Sequence, residues 1–158
     1  MRMPYTYFGG RAFRQPYQWP SYLPITKIQT DGSFYTRNKQ GAVAAILELT
    51  TDSKHQFTHP LYNLESSTEA EWASVYYGLQ LGRNMDQMEM GLENDCLGVV
   101  QQIMFREQGK KEYARYYSHK IQELAKDTEW CGIRWIPRGE NRADRLFKTM
   151  RIKHPQLQ

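Results

Sequence analysis

The sequence predicts an α/β domain on a five-stranded mixed sheet, three antiparallel strands followed by two parallel ones, with helices on both faces. Three observations predict it. Residues 25–62 contain three extended runs separated by short turn signals, the pattern of an antiparallel meander. Residues 68–83 switch to a helical period, and an apolar extended run follows, as in a crossover to a parallel strand. The same helix-to-strand alternation recurs to the end of the chain, giving the order β-β-β-α-β-α-α-β-α.

The first strand is expected over Ile25–Asp31, closed by the turn signal Asp31-Gly32-Ser33. Gly41–Thr50 places Val43, Ala45, Leu47 and Leu49 on one face of a second strand. After the turn Thr51-Asp52-Ser53, Lys54–Tyr62 returns beside it as a third. Trp72, Val75, Tyr76 and Leu79 then fall on one helical face. Ser67 or Thr68 is the expected N-cap, with Glu69 and Glu71 in the first turn, where the helix dipole favours negative charge. Gln87–Asn94 reads as the fourth strand, with Asp95 at its C-terminal end. A helix over 97–106 is broken at Gln108-Gly109-Lys110-Lys111. A second helix to Lys126 carries Tyr113, Tyr117, Ile121 and Leu124 on one face. Glu129–Pro137 is the fifth strand, and Arg138-Gly139-Glu140-Asn141 turns into a last helix through Met150.

Three segments differ in composition. Residues 1–24 hold four prolines, seven aromatics and three arginines but no acid. Such proline density denies a helix or a central strand, so this basic extension is expected to pack on the main domain. Residues 25–152 are expected to form the main domain, and 153–158 a tail. No apolar run approaches the ~20 residues of a membrane helix, and the N-terminus lacks the apolar core of a signal peptide. Cys96 and Cys131 are too few for a disulfide framework. These features predict a cytoplasmic protein with reduced thiols, no membrane association and no obligate protein partner. The net charge of +4 resides entirely in residues 1–30. Beyond them, residues 40–96 hold nine acids and two bases, whereas 133–153 hold seven bases and two acids. An acidic half beside a basic half suits a site that concentrates carboxylates and grips phosphates around it, although solvated helix faces give the same counts.

Four acids stand at the ends of elements: Asp31, Asp95, Glu71 and Asp144. The first and fourth strands are expected to be parallel neighbours. In open α/β sheets the binding crevice lies beyond the carboxyl ends of such strands. Clustered carboxylates raise one another's pKa, and a divalent cation relieves that repulsion. All-oxygen ligands select Mg²⁺ or Mn²⁺ over zinc. Two such ions about 4 Å apart would clamp the attacking and leaving oxygens of a phosphoryl displacement. No Ser-His-Asp or Cys-His arrangement competes with this site. His55 and His59 share a strand face but lack a third zinc ligand. The tyrosines at 76, 77, 113, 116 and 117 fit a core and its rim.

Four words occur in order: Asp31-Gly32-Ser33, Ser67-Thr68-Glu69-Ala70-Glu71-Trp72-Ala73, Glu93-Asn94-Asp95-Cys96, and Trp135 to Leu146 with Ala143-Asp144 inside it. Over residues 25–150 the chain resembles type 1 ribonuclease H, especially forms with a short last loop and the ribonuclease H domains of retroelements. The resemblance implies a ribonuclease H-like fold. It also implies a two-metal endonuclease that cuts the RNA strand of RNA–DNA hybrids and leaves a 5′-phosphate, with Asp31, Glu71, Asp95 and Asp144 as catalytic metal ligands. Two departures accompany it. The His that many members carry before the last Asp is missing, since no His lies between His119 and His154, and Arg138 or Glu140 stand nearest its role. Asn residues that read 2′-hydroxyls in some relatives are replaced by Ser67 and Thr68, whose hydroxyls can form the same bonds. Other expected substrate contacts are Gly32 and Ser33 beside Asp31, Lys110 and Lys111 in the interhelical loop, and Arg138, Asn141 and Arg142 beside Asp144. The rival readings are a same-fold nuclease acting on DNA, resolvase- or integrase-like, and a non-catalytic nucleic-acid-binding module.

Overall fold

A computed structural model describes the backbone of residues 6–9 and, in full, residues 25–105, 107 and 109–148. Six strands form one sheet in the order β1-β6-β5-β2-β3-β4. β2 (Thr26–Tyr35), β3 (Gln40–Glu48) and β4 (Lys54–Leu61) make the antiparallel meander, while β5 (Glu89–Asn94) and β6 (Trp130–Trp135) run parallel to β2. These are the five expected strands. The sixth, β1 (Thr6–Gly9), lies in the proline-rich segment and pairs antiparallel with the outer edge of β6. An edge place is the one a proline-flanked strand can take.

Helices α1 (Ser67–Asn84), α2 (Leu97–Met104) and α3 (Glu112–Ala125) cover one face. Their apolar sides bury Trp72, Val75, Leu79, Val99, Ile103 and Ile121 against Ile28, Leu47, Met90, Leu92 and Ile133, each worth about 1.5–3 kcal/mol relative to exposure. On the other face, Ala143 and Phe147 pack on Ala42, Ala44 and Ile46. Among the described residues no helix is long and apolar enough to cross a membrane, and both cysteines are free thiols.

Three expectations need correction. The first strand does not turn at Asp31-Gly32-Ser33 but runs on to Tyr35, pairing as far as Tyr35↔Gln40. The glycine serves a different purpose. A Cβ on Gly32 would come within 2.3 Å of the Ala70 carbonyl oxygen, so its absence lets the first turn of α1 press onto the strand. The N-cap of α1 is Ser66 rather than Ser67 or Thr68. Its hydroxyl accepts from the Glu69 N–H (3.3 Å), and the Glu69 carboxylate accepts from the Glu65 N–H (2.7 Å), a capping-box exchange set one residue earlier. The last helix opens as two 3-10 turns, Arg138–Glu140 and Arg142–Arg145, before helical residues 146–148. Asn141 punctuates it by accepting from the Ala143 N–H at 3.1 Å. Met150 lies outside the described residues.

Candidate active site

β2 and β5 pair in parallel through Thr30↔Asn94 and then part. Asp31 and Asp95 are the next residue of each strand's path, so both carboxylates enter the crevice that opens there. Glu71 reaches the same point from the first turns of α1. Its Oε1 accepts from the Gly32 N–H at 2.7 Å, while Asp31 Oδ1 accepts from the same N–H at 3.1 Å. The close approach at Gly32 therefore places two carboxylates at once. One carboxylate oxygen from each of Asp31, Glu71 and Asp95 lies within 4.8 Å of the others. Asp144 joins these three in lining a cavity of about 420 Å³, together with Gly32, Ser33, Phe34, Arg138 and Phe147.

The electrostatics are those of crowded acids. Burial, and then the charges of Asp95 and Asp144, push the Asp31 carboxyl up to about 7. Burial, and then Asp31 and Asp95, push Glu71 to about 9, against partial relief from the Gly32 N–H and Asn94. Asp95 is also raised by burial, while the Asn141 amide and the Arg138 charge oppose the rise. Such a site holds protons unless a cation replaces them. An all-carboxylate set within 4.8 Å fits a hard divalent ion by its chemistry.

Polar residues behind the acids hold them. Asn94 is fully buried. Its amide donates to the Thr30 carbonyl (3.1 Å), the Thr30 hydroxyl (3.0 Å) and Ser74 (3.3 Å), and its oxygen accepts from the Cys96 N–H (2.7 Å). This clasp fixes the chain on both sides of Asp95. Asn141, expected at the substrate, is 5% exposed and turns inward. It donates to the Thr30 carbonyl at 2.8 Å and to Asp95 Oδ2 at 3.4 Å. Arg142 is likewise engaged within the protein, with Glu48 at 3.1 Å and Gln29 at 3.3 Å.

The other expected contacts are dispersed. Gly32, Ser33 and Arg138 line the cavity. Ser67 and Thr68 are exposed at the start of α1. Lys110 is exposed, and Lys111 makes a surface ion pair with Glu65 at 3.0 Å, within reach of the α1 N-terminus but outside the cavity lining. Sequence reasoning missed the supporting roles of Asn94, Gln29 and Glu93. The only signal for them is a polar residue interrupting a buried strand.

A crevice of carboxylates where two parallel strands diverge, capped by the first turns of a helix, defines a ribonuclease H-like protein. The family model described as reverse transcriptase-like matches residues 29–148, and the chain belongs to this ribonuclease H-like family. Among solved structures, it is similar to the N-terminal ribonuclease H domain of Rv2228c from Mycobacterium tuberculosis, solved as a fusion with maltose-binding protein. The two share 21% identity and a TM-score of 0.71, over 78% of this chain and 91% of that one. The RNase H1 of Halobacterium salinarum NRC-1 gives 20% identity and a TM-score of 0.68, covering 77% and 93%. LC11-RNase H1, isolated from compost by a metagenomic approach and solved in complex with an RNA/DNA hybrid, gives 20% and 0.67, covering 77% and 92%. No curated protein sequence is significantly similar to the chain.

Proposed function

We propose that the protein is a divalent-metal-dependent endonuclease that hydrolyses the RNA strand of RNA–DNA hybrids, leaving 5′-phosphate and 3′-hydroxyl ends. The observation that carries this reading is the meeting of Asp31, Glu71 and Asp95 within 4.8 Å in a cavity shared with Asp144. The solved neighbour bound to a hybrid lends it further support.

Asp31, Glu71, Asp95 and Asp144 would hold two Mg²⁺ or Mn²⁺ ions. When bound, such ions supply Lewis-acid activation of water and neutralise charge at the phosphate. The chain's own residues do the rest. The Gly32 N–H fixes Glu71 and Asp31 in one geometry. Asn141 orients Asp95. Arg138, at the cavity wall, offers a positive charge to the scissile phosphate where relatives place a His. The exposed hydroxyls of Ser67 and Thr68 are donors and acceptors suited to 2′-hydroxyls of the RNA strand.

The test is digestion of an end-labelled RNA–DNA hybrid with Mg²⁺ or Mn²⁺, with and without EDTA, alongside duplex and branched DNA. The expected result is metal-dependent cutting of the RNA strand that Asp31→Asn or Asp95→Asn abolishes. Preferential cutting of branched DNA would replace the substrate assignment. Near-native turnover by either variant would overturn the site.

A further inference from the structure

Two residues behind the carboxylates lies a second, largely buried polar row. Gln29 on β2 is in register with Glu93 on β5, and Glu93 with Arg134 on β6. Strand side chains alternate faces with a period of two. Gln29 therefore shares its face with Asp31, and the row crosses the sheet just behind the site. It lies opposite the helical face, where Thr30 and Ile28 meet Gly78 and Gly82 of α1. Gln29 is 7% exposed and Glu93 4%. Arg134 binds Glu93 through Nε (2.8 Å) and its terminal nitrogen.

An apolar row would be the simpler way to fill this face, because burying a charge costs free energy even when it is paired. The hydrogen bonds show what the polarity accomplishes. Gln29 Nε2 donates to Glu93 (3.1 Å) and to the Glu140 carbonyl (3.2 Å). Gln29 Oε1 accepts from the Arg142 N–H (3.0 Å) and from its guanidinium (3.3 Å). Glu93 and Arg134 thus set the orientation of the Gln29 amide, and the amide grips the backbone on both sides of Asn141. Glu48 holds Arg142 from β3 at 3.1 Å. The gripped segment is the one that carries Asp144, which is exposed and belongs to a short 3-10 turn. Asp31 stands in the ten-residue β2 and Glu71 in the 18-residue α1, whereas Asp144 belongs to a 3-10 turn of four residues.

We propose that Gln29, oriented by the Glu93–Arg134 pair, is a positioning residue that registers the 138–145 segment and so sets where Asp144 stands over the other three acids. The inference rests on the metal-dependent reading of the site. It predicts that any divalent ion Asp144 helps to hold depends on an amide that never touches it. Residues supporting metal ligands from behind typically change metal affinity by about 10–100-fold.

The experiment uses Gln29→Met, close in volume and unable to make the four bonds, with Glu48→Gln as a variant at a partly exposed position that loosens Arg142 alone. Mn²⁺ binding is measured by calorimetry on the full chain, and amide exchange of 138–145 is measured without metal. Gln29→Met is expected to weaken the lower-affinity Mn²⁺ about ten-fold and to speed exchange in 138–145, with the hybrid's KM changed less than about two-fold. Glu48→Gln is expected to shift both readouts the same way by a smaller factor, and it carries the test if Gln29→Met does not fold. In an Asp144→Asn background, Gln29→Met is expected to weaken Mn²⁺ no further, since both changes act through one carboxylate. Unchanged Mn²⁺ binding in the folded variants, or a loss that adds in full to that of Asp144→Asn, would overturn the inference. Wild-type protein that binds two Mn²⁺ with the expected dependence on Gln29 yet cuts no hybrid would overturn the nuclease reading and leave the positioning role standing.

Discussion

At the scale of single residues, the site stores repulsion. Asp31 and Glu71 are raised to about 7 and about 9 from ordinary values of 3.8 and 4.5. The sign of the consequence follows from linkage. Between the unfolded and folded values the native state binds more protons than the unfolded one, so metal-free stability falls as pH rises through that window. In EDTA the melting temperature is therefore expected to drop between about pH 4.5 and pH 9 and to recover when Mg²⁺ replaces the protons. Asp31→Asn removes one of the charges, so at pH 8 it is expected to melt about 2–5 °C above wild type without metal, and to gain less from Mg²⁺. Melting scans across pH, with and without metal, check both statements. A wild-type melting temperature that rises steadily from pH 5 to pH 8 in EDTA would show that the acids are not crowded as described.

At the scale of elements, the sequence was legible where period and site coincide and opaque where one residue type serves two ends. The meander, the α1 face and the parallel strands followed from alternation and helical spacing, because burial enforces those periods. Asp31-Gly32-Ser33 reads as a turn in the sequence, because glycine signals both a bend and a close approach. The register with β3 and the contact with Ala70 decide for the second. Asn141 and Arg142 read as substrate contacts because they flank Asp144. Their partners within the fold, Thr30, Gln29 and Glu48, are distant in sequence and become neighbours only when the sheet forms. The loop between α2 and α3 remains a candidate for gripping the substrate. Lys110 is exposed, and the Lys111–Glu65 pair is solvated, with side chains 63% and 56% exposed. Such a pair contributes little to stability and can yield to a phosphate. Lys110→Glu with Lys111→Glu is expected to leave melting nearly unchanged. It is also expected to flatten the log–log salt dependence of hybrid binding by about one to two, given roughly 0.9 per phosphate for duplex DNA. An unchanged slope would place the loop off the backbone.

At the scale of the whole molecule, Thr6–Gly9 of the basic, aromatic-rich N-terminal segment contributes a strand. Thr6–Gly9 pairs with β6, and its backbone runs near α2 and α3. Without it β6 would be the outer strand, with a row of unpaired N–H and C=O groups that invites pairing with other chains. The carboxylates lie on the far side of β5, around β2 and α1, so the added strand supports the sheet without touching the cavity lining. At a net of roughly 1 kcal/mol per hydrogen bond, the pairing contributes about 2–3 kcal/mol. Deleting residues 1–24 is accordingly expected to lower the melting temperature by about 5–10 °C and to promote self-association through the bared β6 edge. The hybrid's KM, measured below the new melting point, is expected to change little. Calorimetry, light scattering and hybrid kinetics on the truncated chain separate the alternatives. A truncated protein that melts unchanged and stays monomeric, yet binds hybrid ten-fold more weakly, would make the segment a substrate-binding arm instead of a sixth strand that covers the β6 edge.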